Sequence, residues 1–145
     1  MTDSDIHCHT ASIAVAVLPP IAFDFMADGV KQGQWSFGSW QRNQVADGLF
    51  TGTSLFTGQV SYVSIKTDPG KLLIDYAVGP DADNLSPRIM ARIIPGDVLS
   101  LEPGHCLISL IVWRTADMSD ERWHLLSVSH ETEMYVIRHL LESNN

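Results

Sequence analysis

The sequence predicts an α+β domain: an antiparallel sheet with a helical segment after its first strand and a long helix at the end of the chain. Three observations carry this. The segment "ERWHLLSVSHETEMYVIRHLLES" (Glu121–Ser143) puts Trp123, Leu126, Ser127, His130, Met134, Ile137 and Leu141 on one face when wound at about 100° per residue. The segments "QVSYVSIK" and "KLLIDYAV" have strand composition and flank "TDPG", whose Pro and Gly suit a chain reversal. The 145 residues, 45% of them apolar, are enough for one domain with one sizeable core.

Residues 1–10 are polar and acidic and are read as a flexible leader, with 11–145 as the folded domain. The leader contains "HCH" at positions 7 to 9, but this spacing fits no established zinc pattern, so no metal site is expected. Cys8 and Cys106 are too few and too far apart for a disulfide framework and are expected as free thiols. From Ala11 to Leu18 small and branched apolar residues form a strand-like run that Pro19 and Pro20 end. "IAFDFMADGVKQGQW" then brings Ile21, Ala22, Phe25 and Met26 to one side of a short, broken helical connector.

The stretch from Ser36 to Gln59 is rich in Gly, Thr and aromatic residues, as expected of short strands and tight turns. In the hairpin that follows, pairing Lys66 with Lys71 sets Val63 opposite Ile74, Ser61 opposite Tyr76 and Tyr62 opposite Asp75. Leu72, Ile74, Tyr76 and Val78 are then the core-facing set. Asp75 points outward, where Arg92 of "RIMARII" is its expected cross-strand partner. "CLISLIVWR" is apolar on both faces and reads as a well-covered strand. Ser119 is the expected N-cap of the last helix, with Asp120 and Glu121 in its first turn.

In this order of elements, "SIAVAVLPPIAFDFMAD", Trp35 after it and the closing "ERWHLLSVSHETEMYVIRHLLE" resemble the START/Bet v1-like (SRPBCC) superfamily from Ala11 to Glu142. The resemblance implies a helix-grip fold, in which a curved antiparallel sheet wraps around the long C-terminal helix. It also implies a cavity between sheet and helix for a small apolar or aromatic molecule, with no cofactor. His130, at the centre of the inward stripe, would project into that cavity between Leu126 and Met134, with Tyr76 from the sheet and Trp35 near the entrance. One polar handle among apolar walls is what orients a ligand. A His130 buried as a structural anchor, bonded to Ser61 or another group, is the competing reading, and Met134 fits core filling better than a ligand contact. The Gly-rich phosphate-like loop of the plant allergens has no counterpart here.

Superfamily members also include polyketide aromatases and cyclases, so an enzyme acting on a similar ligand, cyclase-like or hydrolase-like, is the alternative. No "GxSxG" elbow, "HExxH" or nucleotide loop is present. A cyclase-like role would ask His130 to act as general acid or base near pH 7, with Tyr76 or Tyr62 polarising a carbonyl. The hairpin register turns Tyr62 outward, Glu131 lies off the apolar face, and Asp24, Asp28 and Glu133 are expected to meet solvent. A third class is an interaction module, because Leu125, Val128, Tyr135 and Val136 make the outer half of the last helix apolar enough for a homodimer.

The net charge of −8 and scattered basic residues argue against a nucleic-acid partner. No run of about 18 apolar residues suits membrane insertion, and the first ten residues are unlike a secretory signal, so a cytoplasmic protein is expected.

Overall fold

Period-two alternation builds the first strand, β1 (Cys8–Val15), whose Ala11, Ile13 and Val15 are buried while Thr10 and Ser12 face out. The structure, a computed structural model, describes residues 6–143. Part of the expected leader is therefore sheet: Cys8, His9 and Thr10 pair with Trp113, Val112 and Ile111, and the Arg114 N–H donates to the His7 carbonyl at 2.8 Å. Backbone pairing overrides the polar composition here. Residues 1–5 of that leader lie outside the described residues.

Pro19 and Pro20 do more than end a strand. They occupy the first turn of α1 (Pro19–Ala27), where the missing N–H groups cost nothing. Ala22, Phe23, Phe25 and Met26 are buried, whereas Ile21, expected on the inner side, is exposed. Six strands follow: β2 (Trp40–Ala46), β3 (Leu49–Thr53), β4 (Val60–Asp68), β5 (Leu73–Gly79), β6 (Ser86–Pro95) and β7 (Cys106–Trp113). With β1 they form one curved antiparallel sheet in the order β1-β7-β6-β5-β4-β3-β2, so the first strand closes against the last. On its inner face Ala11, Leu110, Ala91 and Ile74 form one row and Ile13, Ile108 and Ile93 the next.

The β4–β5 hairpin differs in register from the expectation. Lys66 pairs with Asp75 and Ile65 with Tyr76, because the reversal is made by Pro69–Leu72, with Leu72 at φ +51°, rather than by Thr67–Gly70. The offset moves every partner by an even number of residues, so each side chain keeps its face. Ile74 and Tyr76 are buried and Asp75 points out, as expected. Arg92 is also exposed, but its Nε donates to the Lys71 carbonyl at 3.1 Å rather than meeting Asp75.

The closing helix α2 runs from Asp120 to Ser143 without interruption. Ser119 caps it, its Oγ accepting the Arg122 N–H at 3.2 Å, and Arg114 Nη2 holds Asp120 Oδ1 at 2.7 Å. Near the other end, Glu142 Oε2 accepts the Ala16 N–H at 2.9 Å, tying the helix to the chain just past β1. Met134, Ile137 and Leu141 are buried, whereas Trp123, expected with them, is only half-buried. α2 packs chiefly on β1, while α1 lies over β5, β6 and β7.

Ile137 is fully buried and Val128 lies on the exposed side of the same helix. Ile137→Ala should therefore cost about 2–5 kcal/mol in urea denaturation and Val128→Ala no more than about 0.5. Equal losses at the two positions would contradict the packing of α2 described here.

Candidate functional site

Because α2 packs on β1, at the edge of the sheet, a cavity of about 390 Å³ opens between the helix and the strands beyond. Val63, Val78 and Ile89 line it from the sheet and Leu126 from α2. The β3–β4 loop forms its lip. Ser54 Oγ accepts the N–H groups of Phe56 and Thr57 at 3.1 and 3.3 Å, and Gly58 takes φ +72°, which holds the half-exposed Phe56 at the mouth.

The helix wall is polar. Ser129, His130 and Glu133 are buried neighbours on the inner side of α2 and all line the cavity. His130 Nδ1 is buried without a hydrogen-bond partner. Burial, then the nearby His9 and Arg88, push its pKa down to about 3, so the ring is neutral at pH 7. His9 faces it from the inner side of β1, with ring centroids 6.0 Å apart, and His9 Nε2 lies 3.7 Å from Glu131 Oε1. Burial raises the Glu133 carboxyl to about 8, opposed by the Phe37 backbone N–H that it accepts.

Both results correct the sequence reading. Glu133 does not meet solvent, being only 5% exposed. Burial keeps the His130 ring neutral at pH 7 and moves the Glu133 carboxyl up to about 8.

Arg88 reaches the cavity through a break in alternation. Tyr76 pairs with Ile89 but Ala77 with Pro87, so Arg88 is the extra residue of a β-bulge, and both Arg88 and Ile89 line the cavity. Its Nε is buried without a partner, and burial lowers its pKa to about 10. At the inner end the buried Arg42 donates from Nη2 to Gln32 Oε1. A guanidinium cannot accept, so the Gln32 oxygen faces Arg42, leaving its amide nitrogen for the cavity wall that Gln32 forms.

Of the five expected ligand-facing residues, Leu126 and His130 line this cavity. Trp35, Tyr76 and Met134 do not. All three are buried in the hydrophobic core, and the Tyr76 hydroxyl donates to the Met26 carbonyl at the end of α1. An indole and a phenol on the inner side of the fold are here consumed by packing. Arg88 is not among the expected residues, and Glu133 is expected in solvent rather than on the lining. The signal for Arg88 is Pro87, which an inner strand tolerates only at a bulge. The signal for Glu133 is its position one turn beyond Ser129 and next to Met134.

No family model matches the sequence, and no curated protein matches it. The structure is similar to a START superfamily protein from Mycobacterium smegmatis, with 14% identity, a TM-score of 0.72 and coverage of 96% of this chain and 99% of that one. It is also similar to the Zhui aromatase/cyclase from Streptomyces sp. R1128, at 14% identity and TM-score 0.63, covering 93% of each chain. The di-domain aromatase/cyclase BexL of the BE-7585A biosynthetic pathway matches at 10% identity and TM-score 0.69, over 93% of this chain and 46% of that one. The fold is thus the START-like helix-grip fold. Among the described residues no helix is long and apolar enough to cross a membrane.

The two buried groups give stability opposite pH slopes. Glu133 has a folded pKa of about 8 against 4.5 unfolded, so its contribution is complete below 4.5 and lost as pH rises to about 8. His130 has a folded pKa of about 3 against 6.5 unfolded, so its contribution is complete above 6.5 and lost as pH falls toward 3. Urea denaturation across pH 3–9 should show a plateau between about pH 4.5 and 6.5. Glu133→Gln should remove the decline on the alkaline side, and a variant that keeps the full decline assigns it to another group.

Proposed function

We propose that this protein binds a small, largely apolar or aromatic organic molecule in the cavity between its sheet and α2. The observation that carries the reading is an open space of about 390 Å³ in which an apolar patch of Val63, Val78, Ile89 and Leu126 faces polar groups of the helix wall and the loops. Leu126 and His130 stand on the helix side of it, where the sequence placed a ligand's contacts.

A second reading has one specific observation in its favour. Glu133 keeps its proton up to about pH 8 inside the cavity, one turn from a neutral imidazole, which is the state required of a general acid. The reaction class would be cyclase-like, after the similar structures named aromatase/cyclases, or hydrolase-like. In that reading Glu133 donates the proton, and His130 accepts a hydrogen bond from the substrate or a water.

The test fills the cavity. N-phenyl-1-naphthylamine, which fluoresces when it leaves water, should bind the wild type, and Leu126→Trp should weaken binding by about tenfold or more. Leu126 is only part-buried, so thermal stability should change little. Absence of probe binding, or equal binding by Leu126→Trp, would overturn the cavity reading. Should a turned-over ligand be found, Glu133→Gln is expected to abolish turnover while retaining affinity.

A further inference from the structure

We infer that the ligand of this cavity is a small organic acid: an apolar or aromatic body along Val63, Val78, Ile89 and Leu126, carrying one anionic group against the Arg88 guanidinium. The inference rests on the ligand-binding reading above and adds the chemical class. Three features of the site lead to it.

The first is an unanswered cation. The β-bulge turns Arg88 to the cavity side of β6, yet among the described residues no carboxylate pairs with it, and its buried Nε has no hydrogen-bond partner. Buried guanidinium groups are ordinarily paired, and a bidentate fork matches a carboxylate or sulfonate in shape as well as charge. The second is the character of the other polar groups. His130 is 5% exposed with an unpartnered Nδ1 on the same wall, and the Gln32 amide nitrogen and the protonated Glu133 both offer hydrogen atoms. With His130 and Glu133 neutral at pH 7, the part-buried Arg88 is the innermost charge on a lining whose other charged residues, Arg122 and Glu121, are exposed, so the interior complements a negative group.

The third is location. The chain holds 17 acidic and nine basic residues, yet Arg88 and Arg122 meet at the cavity and also border a second hollow of about 280 Å³. The charged groups facing them are Asp117, whose Oδ2 lies 3.6 Å from Arg122 Nη1, and Glu121 at the rim. Asp117 attracts the Arg88 guanidinium as well, but Asp117 and Glu121 are exposed, so water screens them, and neither forms an ion pair with Arg88 among the described residues. An anion that reaches Arg88 exchanges water for a charge-assisted hydrogen bond in a partly desolvated site.

Two probes with the same aromatic body test this. 8-Anilinonaphthalene-1-sulfonate carries a sulfonate, and N-phenyl-1-naphthylamine lacks it. The wild type should bind the sulfonate about tenfold or more tightly than the neutral probe. Arg88→Gln should erase that preference while changing affinity for the neutral probe less than about twofold, and Arg88→Lys should retain part of it. Because a part-buried cation without an ion pair is removed, Arg88→Gln should melt no lower than the wild type. Leu126→Trp should displace both probes, which separates cavity binding from binding to an exposed patch.

Equal wild-type affinity for the two probes, or a preference that survives in Arg88→Gln, would overturn the acid assignment and leave the apolar cavity standing. Failure of both probes to bind would overturn the cavity reading and this inference together. Should Arg88→Gln unfold, Arg88 would be a structural residue and the inference would fail with it.

Discussion

One helix cannot cover this sheet, and most of the architecture follows from that constraint. Seven strands spaced about 4.8 Å apart span roughly 29 Å, whereas a helix with its side chains is about 10–12 Å across. α2 commits its apolar residues Met134, Ile137 and Leu141 to one side, packing chiefly on β1, and is fastened there by Glu142 at the Ala16 amide. α1 fills the space over β5, β6 and β7, held by the Tyr76 hydroxyl at the Met26 carbonyl. What neither helix reaches is the region lined by Val63, Val78 and Ile89, and the β3–β4 loop leans over it without filling it. The cavity is the remainder of a covering problem.

That origin explains why its helix wall is polar. A residue on α2 that faced another strand would have to be apolar, whereas one that faces an open cavity can keep a titratable side chain if its charge is suppressed. Glu133 and His130 are both held in their neutral forms by burial, one by keeping a proton and the other by losing it. Native sequences accept such costs at functional positions and recover them elsewhere in the core. Arg88 differs, because a guanidinium stays charged even when burial lowers its pKa to about 10. The lining therefore combines the neutral His130 and Glu133 with a part-buried Arg88, and carries Arg122 and Glu121 at its exposed rim.

How much of this the sequence discloses depends on whether a feature is periodic. The His130, Met134, Ile137 and Leu141 part of the α2 stripe, its Ser119 cap and the inward set Ile74 and Tyr76 are repeating or locally determined, and each is found where periodicity puts it, while Trp123 at the start of the stripe is only half-buried. The β4–β5 register was displaced, since a sequence cannot reveal that Leu72 takes a left-handed conformation and moves the reversal to Pro69–Leu72. β1 begins at Cys8 because pairing with β7 costs polar residues nothing at a sheet edge, where alternate side chains remain in contact with water. With identities of 10–14% to the similar structures compared here, pattern rather than residue identity carries the likeness.

The candidate site was less legible for the same reason, since it lies where periodicity breaks. A helical wheel ranks residues by apolarity, so it selected Met134, which packs in the core, and passed over its neighbour Glu133, which lines the cavity. Strand alternation assigns Arg88 to the side opposite Ile89, and only the bulge next to Pro87 brings both to the cavity. Tyr76 shows the converse. It has the aromatic ring and hydroxyl expected of a ligand contact, but the hydroxyl is committed to Met26 and the ring is sealed beneath α1. A polar atom already satisfied by the fold has nothing to offer a ligand, while one the fold leaves unpaired does. By that criterion His130 Nδ1 and Arg88 Nε are the atoms on this cavity's lining that a ligand would complete, whereas Trp35 Nε1, also without a partner, lies in the core away from it.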